Sequence, residues 1–170
     1  MTIIVEDGTG IAGAESYVSS ADADLYHTNR GNAGWPDLDS DVKEQALRRA
    51  ADFMVGTYRG RWKGYRSQLT QSLDWPRKAV ILTDTSINYQ IPFNQIPVEV
   101  KNAQCELALR TATSISLVPD LAQGVLHEAV GSLQTSYDRY SSQSPRFRQV
   151  DIMLRHLLTN MGASSPLTRT

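Results

Sequence analysis

Apolar residues recur at helical intervals in three places along this chain and are scattered elsewhere. Leu47, Ala50, Ala51, Met54 and Tyr58 are separated by Lys43, Arg48, Arg49 and Asp52 on the other face. Spacing of three and four gathers the apolar side chains on one stripe and predicts a helix from about Asp41 to Tyr58. Val100, Ala103, Leu107, Ala108 and Thr111 make a second stripe, opened by Pro97 at a first helical position and closed before Pro119. Phe147, Val150, Leu154, Leu157 and Leu158 make a third and shorter one, with Arg148, Arg155 and His156 outside it. Upstream, Ser19 with Asp22 has capping-box spacing, so a further helix is expected from about Ser20 to Arg30, ended by Gly31 in the left-handed region. Ser40 or Asp41 is placed to cap the Asp41–Tyr58 helix, with Glu44 answering in its first turn.

Signals for extended structure are fewer. Thr2–Val5 reads as a short strand, Asp7-Gly8-Thr9-Gly10 as a turn and Glu15–Val18 as a second extended piece. Val125–Val130 and Leu133–Tyr137 alternate loosely around Gly131-Ser132, a pair that favours a type II′ hairpin turn. Ser141–Pro145 reads as a flexible link. From Arg59 to Gln95 periodicity disappears amid Gly60, Gly64, Pro76 and Pro92. So long a connection in a compact domain is usually functional, and its order is expected to depend on neighbours. The expected fold is mainly α: a small helical bundle with a long central loop, a short β-hairpin and a C-terminal helix. Residues 1–120 would form one helical domain with an extended N-terminal arm and the central loop (59–95). Residues 121–158 would supply the hairpin and a docking helix, and 159–170 a disordered tail.

Charge adds a polarity that the net value of −1 conceals. Residues 1–44 hold nine acidic and two basic side chains, a net of −7. Residues 59–78 hold Arg59, Arg61, Lys63, Arg66, Arg77 and Lys78 against Asp74 alone, a net of +5. Such asymmetry suits head-to-tail contact between copies or a basic surface near nucleic acid; equally, it suits an acidic arm folded back on the chain's own basic loop. Thr2–Val5 is too short for a signal-peptide core, and no stretch nears the roughly 18–20 apolar residues of a membrane span, so a soluble, cytosolically made protein without membrane partners is expected.

Candidate chemistry is sparse. Cys105 has no second cysteine to pair with and no base nearby in sequence, so it reads as a small buried thiol. His27, His127 and His156 fall in three separate elements, and Gly8-Thr9-Gly10 lacks the third glycine of a dinucleotide fingerprint. With no phosphate loop and no GxSxG, the expectation is a non-catalytic protein without cofactor or metal.

Three linked features stand out between Tyr58 and Leu107. Tyr58-Arg59-Gly60-Arg61-Trp62-Lys63-Gly64 leaves a helix with cations interleaved with aromatics; Gln71-Ser72-Leu73-Asp74-Trp75-Pro76-Arg77 sets a tryptophan before a proline; Ile91-Pro92 and Ile96-Pro97 lead to Val100-Lys101 and Glu106-Leu107-Ala108. This arrangement, with Thr2–Gly10 and Ser16–Ser19, resembles the head–tail adaptor, or head completion, family of tailed phages, whose members are often labelled DnaT-like single-stranded-DNA-binding proteins. The likeness covers most of residues 1–110, and Thr83–Tyr89 is inserted where many members have a tight Asp-Gly turn.

The resemblance implies a virion protein at the head–tail junction, present in the host cytoplasm during assembly. It would form a homo-oligomeric, dodecameric ring between the portal protein and the tail-side stopper, contacting the passing double-stranded DNA without reading its sequence. Arg59, Arg61, Lys63, Arg66 and Arg77 are then candidates for DNA-lumen or intersubunit contacts, or are simply solvated. Trp62, Trp75 and Pro76 are candidate packing anchors of the loop; alternatively, the two tryptophans are stacking platforms for nucleic acid. Phe147, Val150, Leu154, Leu157 and Leu158 either dock on the portal or pack on their own domain. The rival function is that of a replication-type single-stranded-DNA-binding protein.

Overall fold

The first two stripes find each other. The computed structural model describes residues 2–84, 87–119, 127–130, 133–136 and 146–159. In chain order it contains α1 (Ser20–Thr28), α2 (Ser40–Tyr58), β1 (Tyr65–Arg66), β2 (Arg77–Lys78), β3 (Ile81–Leu82), β4 (Tyr89–Gln90), α3 (Val98–Ala112), β5 (His127–Val130), β6 (Leu133–Ser136) and α4 (Arg148–Leu154). Helices α2 and α3 make the largest contact, α4 packs on α3, and α1 lies against both α2 and α3. The fold is mainly α, as expected, and among the described residues the strands pair as three antiparallel hairpins: β1 with β2, β3 with β4, and β5 with β6. No described helix is long and apolar enough to cross a membrane.

Small side chains set the centre. Ala46, Ala50 and Ala51 of α2 and Ala103 and Ala108 of α3 are buried, so the two backbones can approach closely while Leu47, Met54, Val100 and Leu107 fill the layers between them. A polar residue binds this centre to the N-terminal arm. Gln104 is wholly buried; its amide donates to Ser16 Oγ (2.8 Å) and to the Leu47 carbonyl (2.9 Å), and its oxygen accepts from Tyr17 N–H (2.8 Å). Every polar group of that side chain is used, which removes the penalty of burying it.

Helix termini agree with expectation at α1 and differ at α2. Ser19 caps α1, accepting from Asp22 N–H (3.1 Å), and Gly31 takes φ +68 beyond its C-terminus. At α2 the cap position falls to Asp39 without a side-chain bond, and Glu44 turns to Arg48 (3.3 Å). Arg48 also holds Glu15 of the arm (3.1 Å), so charge pairing outcompetes the cap. Pro97 precedes α3 as its cap residue.

Thr2–Val5 forms no ladder beyond a single parallel bridge from Val5 to Ser16. One short strand without a sheet to join cannot propagate. The predicted hairpin is present over His127–Val130 and Leu133–Ser136, whereas its residues 125, 126 and 137, its Gly131-Ser132 turn, the Ser141–Pro145 link and the tail from Asn160 lie outside the described residues.

His27 belongs to the core. It is fully buried, its ring 4.5 Å from Trp35 and 5.1 Å from Tyr26, with Nδ1 bonded to the Asn32 amide (3.0 Å). Burial lowers its pKa below the ordinary 6.5, opposed more weakly by Glu106 and the Cys105 backbone. Above pH 6.5 the ring is neutral in both native and unfolded chains and contributes no pH dependence. Below it the unfolded chain takes up a proton that the native chain refuses, so stability falls until the native pKa is reached. Thermal melts across this range are expected to lose up to about 1.4 kcal/mol per pH unit from this group. His27→Gln should melt lower at neutral pH but show a shallower acid slope; an unchanged slope would rule out this role.

Candidate nucleic-acid interface

The central segment is built around a buried carboxylate. Asp74, 1% exposed, accepts from Arg59 Nε (2.8 Å) and from Trp62 Nε1 (3.0 Å). Its backbone N–H, together with that of Trp75, donates to the Tyr17 hydroxyl (3.0 and 3.3 Å), and its carbonyl accepts from Arg77 Nη1 (3.2 Å). Burial, with Asp74 beside it, raises the Tyr17 phenol far above its ordinary pKa, so it stays protonated.

Residues on either side complete the network. Gln71 donates to the Leu73 and Pro76 carbonyls (2.8 and 3.2 Å) and accepts from Gln68 N–H (2.8 Å). The Trp75–Pro76 peptide is cis, and the Pro76 carbonyl also accepts from Ser67 N–H (3.1 Å). Tyr58, Trp62 and Trp75 make an internal run of rings, 5.8 Å between each successive pair.

The Gly-rich turn also serves this segment. The Glu6 carboxylate, 1% exposed, accepts from the N–H groups of Gly8 (3.0 Å), Gly10 (2.8 Å) and Ile11 (2.8 Å), so an internal anion already occupies amides that could have met a phosphate. Gly8, at φ +106, lies so close to Asn94 that a Cβ would collide with its carbonyl oxygen. The arm thereby clamps the chain just after Phe93.

The predicted contacts separate into two groups. Trp62 and Trp75 are 5% and 0% exposed, which closes both to stacking with nucleic acid. Arg77 is not an outward contact either. Only 6% exposed, it donates to the carbonyls of Lys63 (2.8 Å) and Gly64 (2.7 Å) as well as Asp74, because the turn needs donors for carbonyls that no strand satisfies. Arg59 is spent on Asp74 and the Ser72 carbonyl. Arg61 is half-buried over the Tyr58 ring (5.5 Å). Lys63 is half-exposed, and Arg59 and Arg66 are exposed, Arg66 Nη1 donating to the Gln71 carbonyl (3.3 Å).

The expected docking helix is turned inward. Val150, Leu154, Leu157 and Leu158 are all buried in this chain's core, and Phe147 packs edge-on against Phe53 (5.3 Å). Lys63 N–H bonds the Leu157 carbonyl (3.0 Å) and Thr159 N–H the Arg61 carbonyl (2.7 Å), locking the α4 end to the α2 exit. That apolar face packs on its own domain, the second of the two expectations for it.

The central segment finds bonding partners within the chain. Among residues 59–84 and 87–95 the two small hairpins and the Asp74 network supply its bonds from within the chain. Sequence periodicity misses this because the ordering groups are polar and lie in turns.

What remains outside was not anticipated. Tyr65 (73% exposed), Leu69 (88%), Tyr89 (51%) and Phe93 (60%) protrude from the hairpins. Tyr65 is the cross-strand partner of Lys78, and the Lys78 ammonium lies 5.8 Å from the Phe93 ring centroid. From residue 59 to 96 the only acids are the buried Asp74 and the exposed Asp84. The outer face is therefore cationic and aromatic. A short ladder of hairpin residues gives no sequence signal, so Tyr65 and Phe93 could have been found only from the aromatic–cation alternation around them.

Other chemistry is confined. Cys105 is buried, which pushes its thiol up to about 12, and no three His, Cys, Asp or Glu side chains gather as a metal set among the described residues.

The chain is thus a mainly helical protein whose hairpin segment carries exposed cations and rings. The chain belongs to the family described as "Putative DnaT-like ssDNA binding protein", which matches it over residues 1–170. No curated protein and no solved structure matches it.

Removing the hub should cost far more than removing a surface cation. Asp74→Ala is expected to lose about 3 kcal/mol in urea unfolding, since Trp62 and Arg59 lose their acceptor in a desolvated site. Arg66→Ala should stay within about 0.5 kcal/mol of the parent. Equal effects would contradict the assignment of Asp74 as organiser.

Proposed function

We propose that the protein binds single-stranded DNA without sequence preference through the outer face of its hairpin segment. The observation that carries this reading is the exposed aromatic and cationic face itself, with the family description in support. Exposed rings offer stacking surface to any unpaired base, and cations track the phosphates. Arg59, Arg66 and Lys78 are the exposed cations and Lys63 is half-exposed; Arg59 also pairs with Asp74, and Arg77 acts inside the fold. The proposed role is one of binding and involves no catalysis or cofactor.

The second reading is the phage head–tail adaptor implied by the sequence resemblance. One observation favours it: an open groove of about 770 Å³ between α2 and the chain after α3, lined by Phe53, Gly56, Ile115, Leu117 and Val118 among others. A mostly apolar groove of that kind suits a protein partner. In that reading the protein is a ring subunit at the head–tail junction, contacting portal and stopper, and the hairpin face meets passing duplex without gripping bases.

Fluorescence anisotropy separates the two. A single-stranded DNA-binding protein should bind a labelled oligothymidine more tightly than a duplex of equal length, with log K falling linearly against log salt at roughly 0.7 per phosphate neutralised. Absence of binding at low salt, with rings seen by native mass spectrometry or electron microscopy on adding portal protein, would favour the adaptor.

A further inference from the structure

We propose that Tyr65, Lys78 and Phe93 form a binding site for two successive unpaired nucleotides, the bases lying on the two rings and the phosphate between them at the Lys78 ammonium. This deepens the single-stranded-DNA reading above and rests on it.

The three side chains are linked in two pairs. Partners directly opposite in an antiparallel pair point to the same face with Cβ atoms about 5 Å apart, which sets Tyr65 beside Lys78. Lys78 in turn reaches the Phe93 ring, with its Nζ 5.8 Å from the centroid. Ring, cation, ring is the order in which consecutive nucleotides present base, phosphate and base. Among the described residues Lys78 has no carboxylate within ion-pair distance, so its charge is available to a phosphate.

The backbone behind these side chains is held before any ligand arrives. Gly64, at φ +66, packs so closely on the Lys78 carbonyl that a Cβ would collide with it, which brings β1 tight against β2. Ser67 N–H bonds the Pro76 carbonyl (3.1 Å), and Ser67 Oγ donates to the Phe93 carbonyl (2.6 Å), tying the first hairpin to the chain that carries the second ring. Asn94, the next residue, is clamped by Gly8 of the arm. Little ordering remains to be done on binding, so the contact energy of the rings is retained.

The same geometry defines the ligand class. In a duplex the base faces are covered by their neighbours, so the rings can engage only unstacked bases. Stacking accepts any base, and the three side chains carry no group aimed at base edges; weak base preference is therefore expected.

Anisotropy titration of the full chain with a labelled oligothymidine tests the site. Tyr65→Ala and Phe93→Ala are each expected to weaken binding by about tenfold. Tyr65→Phe should bind like the parent. Lys78→Ala should weaken binding several-fold and reduce the log–log salt slope by about 0.7. Because both rings are mostly exposed, melting temperatures should not move. If the parent binds and every variant binds equally well, the site is wrong while the function stands. If the parent does not bind oligothymidine at low salt, site and function both fall; exposed rings that instead mediate capture of a protein partner would then explain the face.

Discussion

A carboxylate taken out of water must be met by donors, and the α2 exit supplies both of those that meet Asp74, Arg59 and Trp62. The Asp74 backbone binds two further segments: its N–H donates to the Tyr17 hydroxyl of the N-terminal arm, and its carbonyl accepts from Arg77 of β2. An unpaired buried carboxylate would cost several kcal/mol, so these segments are bound to one arrangement or none. Gln104 repeats the logic deeper in the core, joining the arm, α2 and α3 through a single amide. The helices and the irregular segments both contribute buried apolar side chains, and the two polar junctions tie the irregular segments to the helices.

That arrangement divides the central segment into an inner and an outer side. Trp62, Trp75 and Arg77 lie inside, and the cis Trp75–Pro76 peptide sits between them. The Gln71–Arg77 motif is thus a folding element, and its residues are largely withdrawn from solvent. Tyr65, Lys78 and Phe93 lie outside on backbone that the inner side has fixed. Function read from the most conspicuous residues of the motif would be assigned to the wrong face, because a tryptophan buried beside a proline stabilises a loop while a tyrosine on a two-residue strand has nothing of its own to cover.

The helices were legible in sequence because burial on one face imposes a period, and α2 falls within a residue of its expected start. The mainly α class follows from the same signal. The apolar residues of the α4 region were also identified, but periodicity says only that a face is buried, not against what; here the chain's own core takes it. The hub at Asp74 was not legible, since its partners are spread from Tyr17 to Arg77 and no local spacing links them. For the same reason the basic run at 59–78 left several roles open for each cation, whereas Arg77 is buried, Arg59 pairs with Asp74 while partly exposed, Lys63 is half-exposed, and Arg66 and Lys78 are exposed. Charge counted along a chain does not distinguish a cation that binds a neighbour from one that folds its own loop.

The Asp74 network implies that the central segment is organised by the chain itself. Amide hydrogen exchange on the isolated protein, without DNA or partner, addresses this directly. The N–H groups of Lys63, Ser67 and Ile91, bonded to the carbonyls of Leu157, Pro76 and Val80, should be protected, and Asp74→Ala should release those of Lys63 and Ser67. Exchange of all three at the rate of an unstructured peptide, slowing only when a binding partner is added, would contradict it.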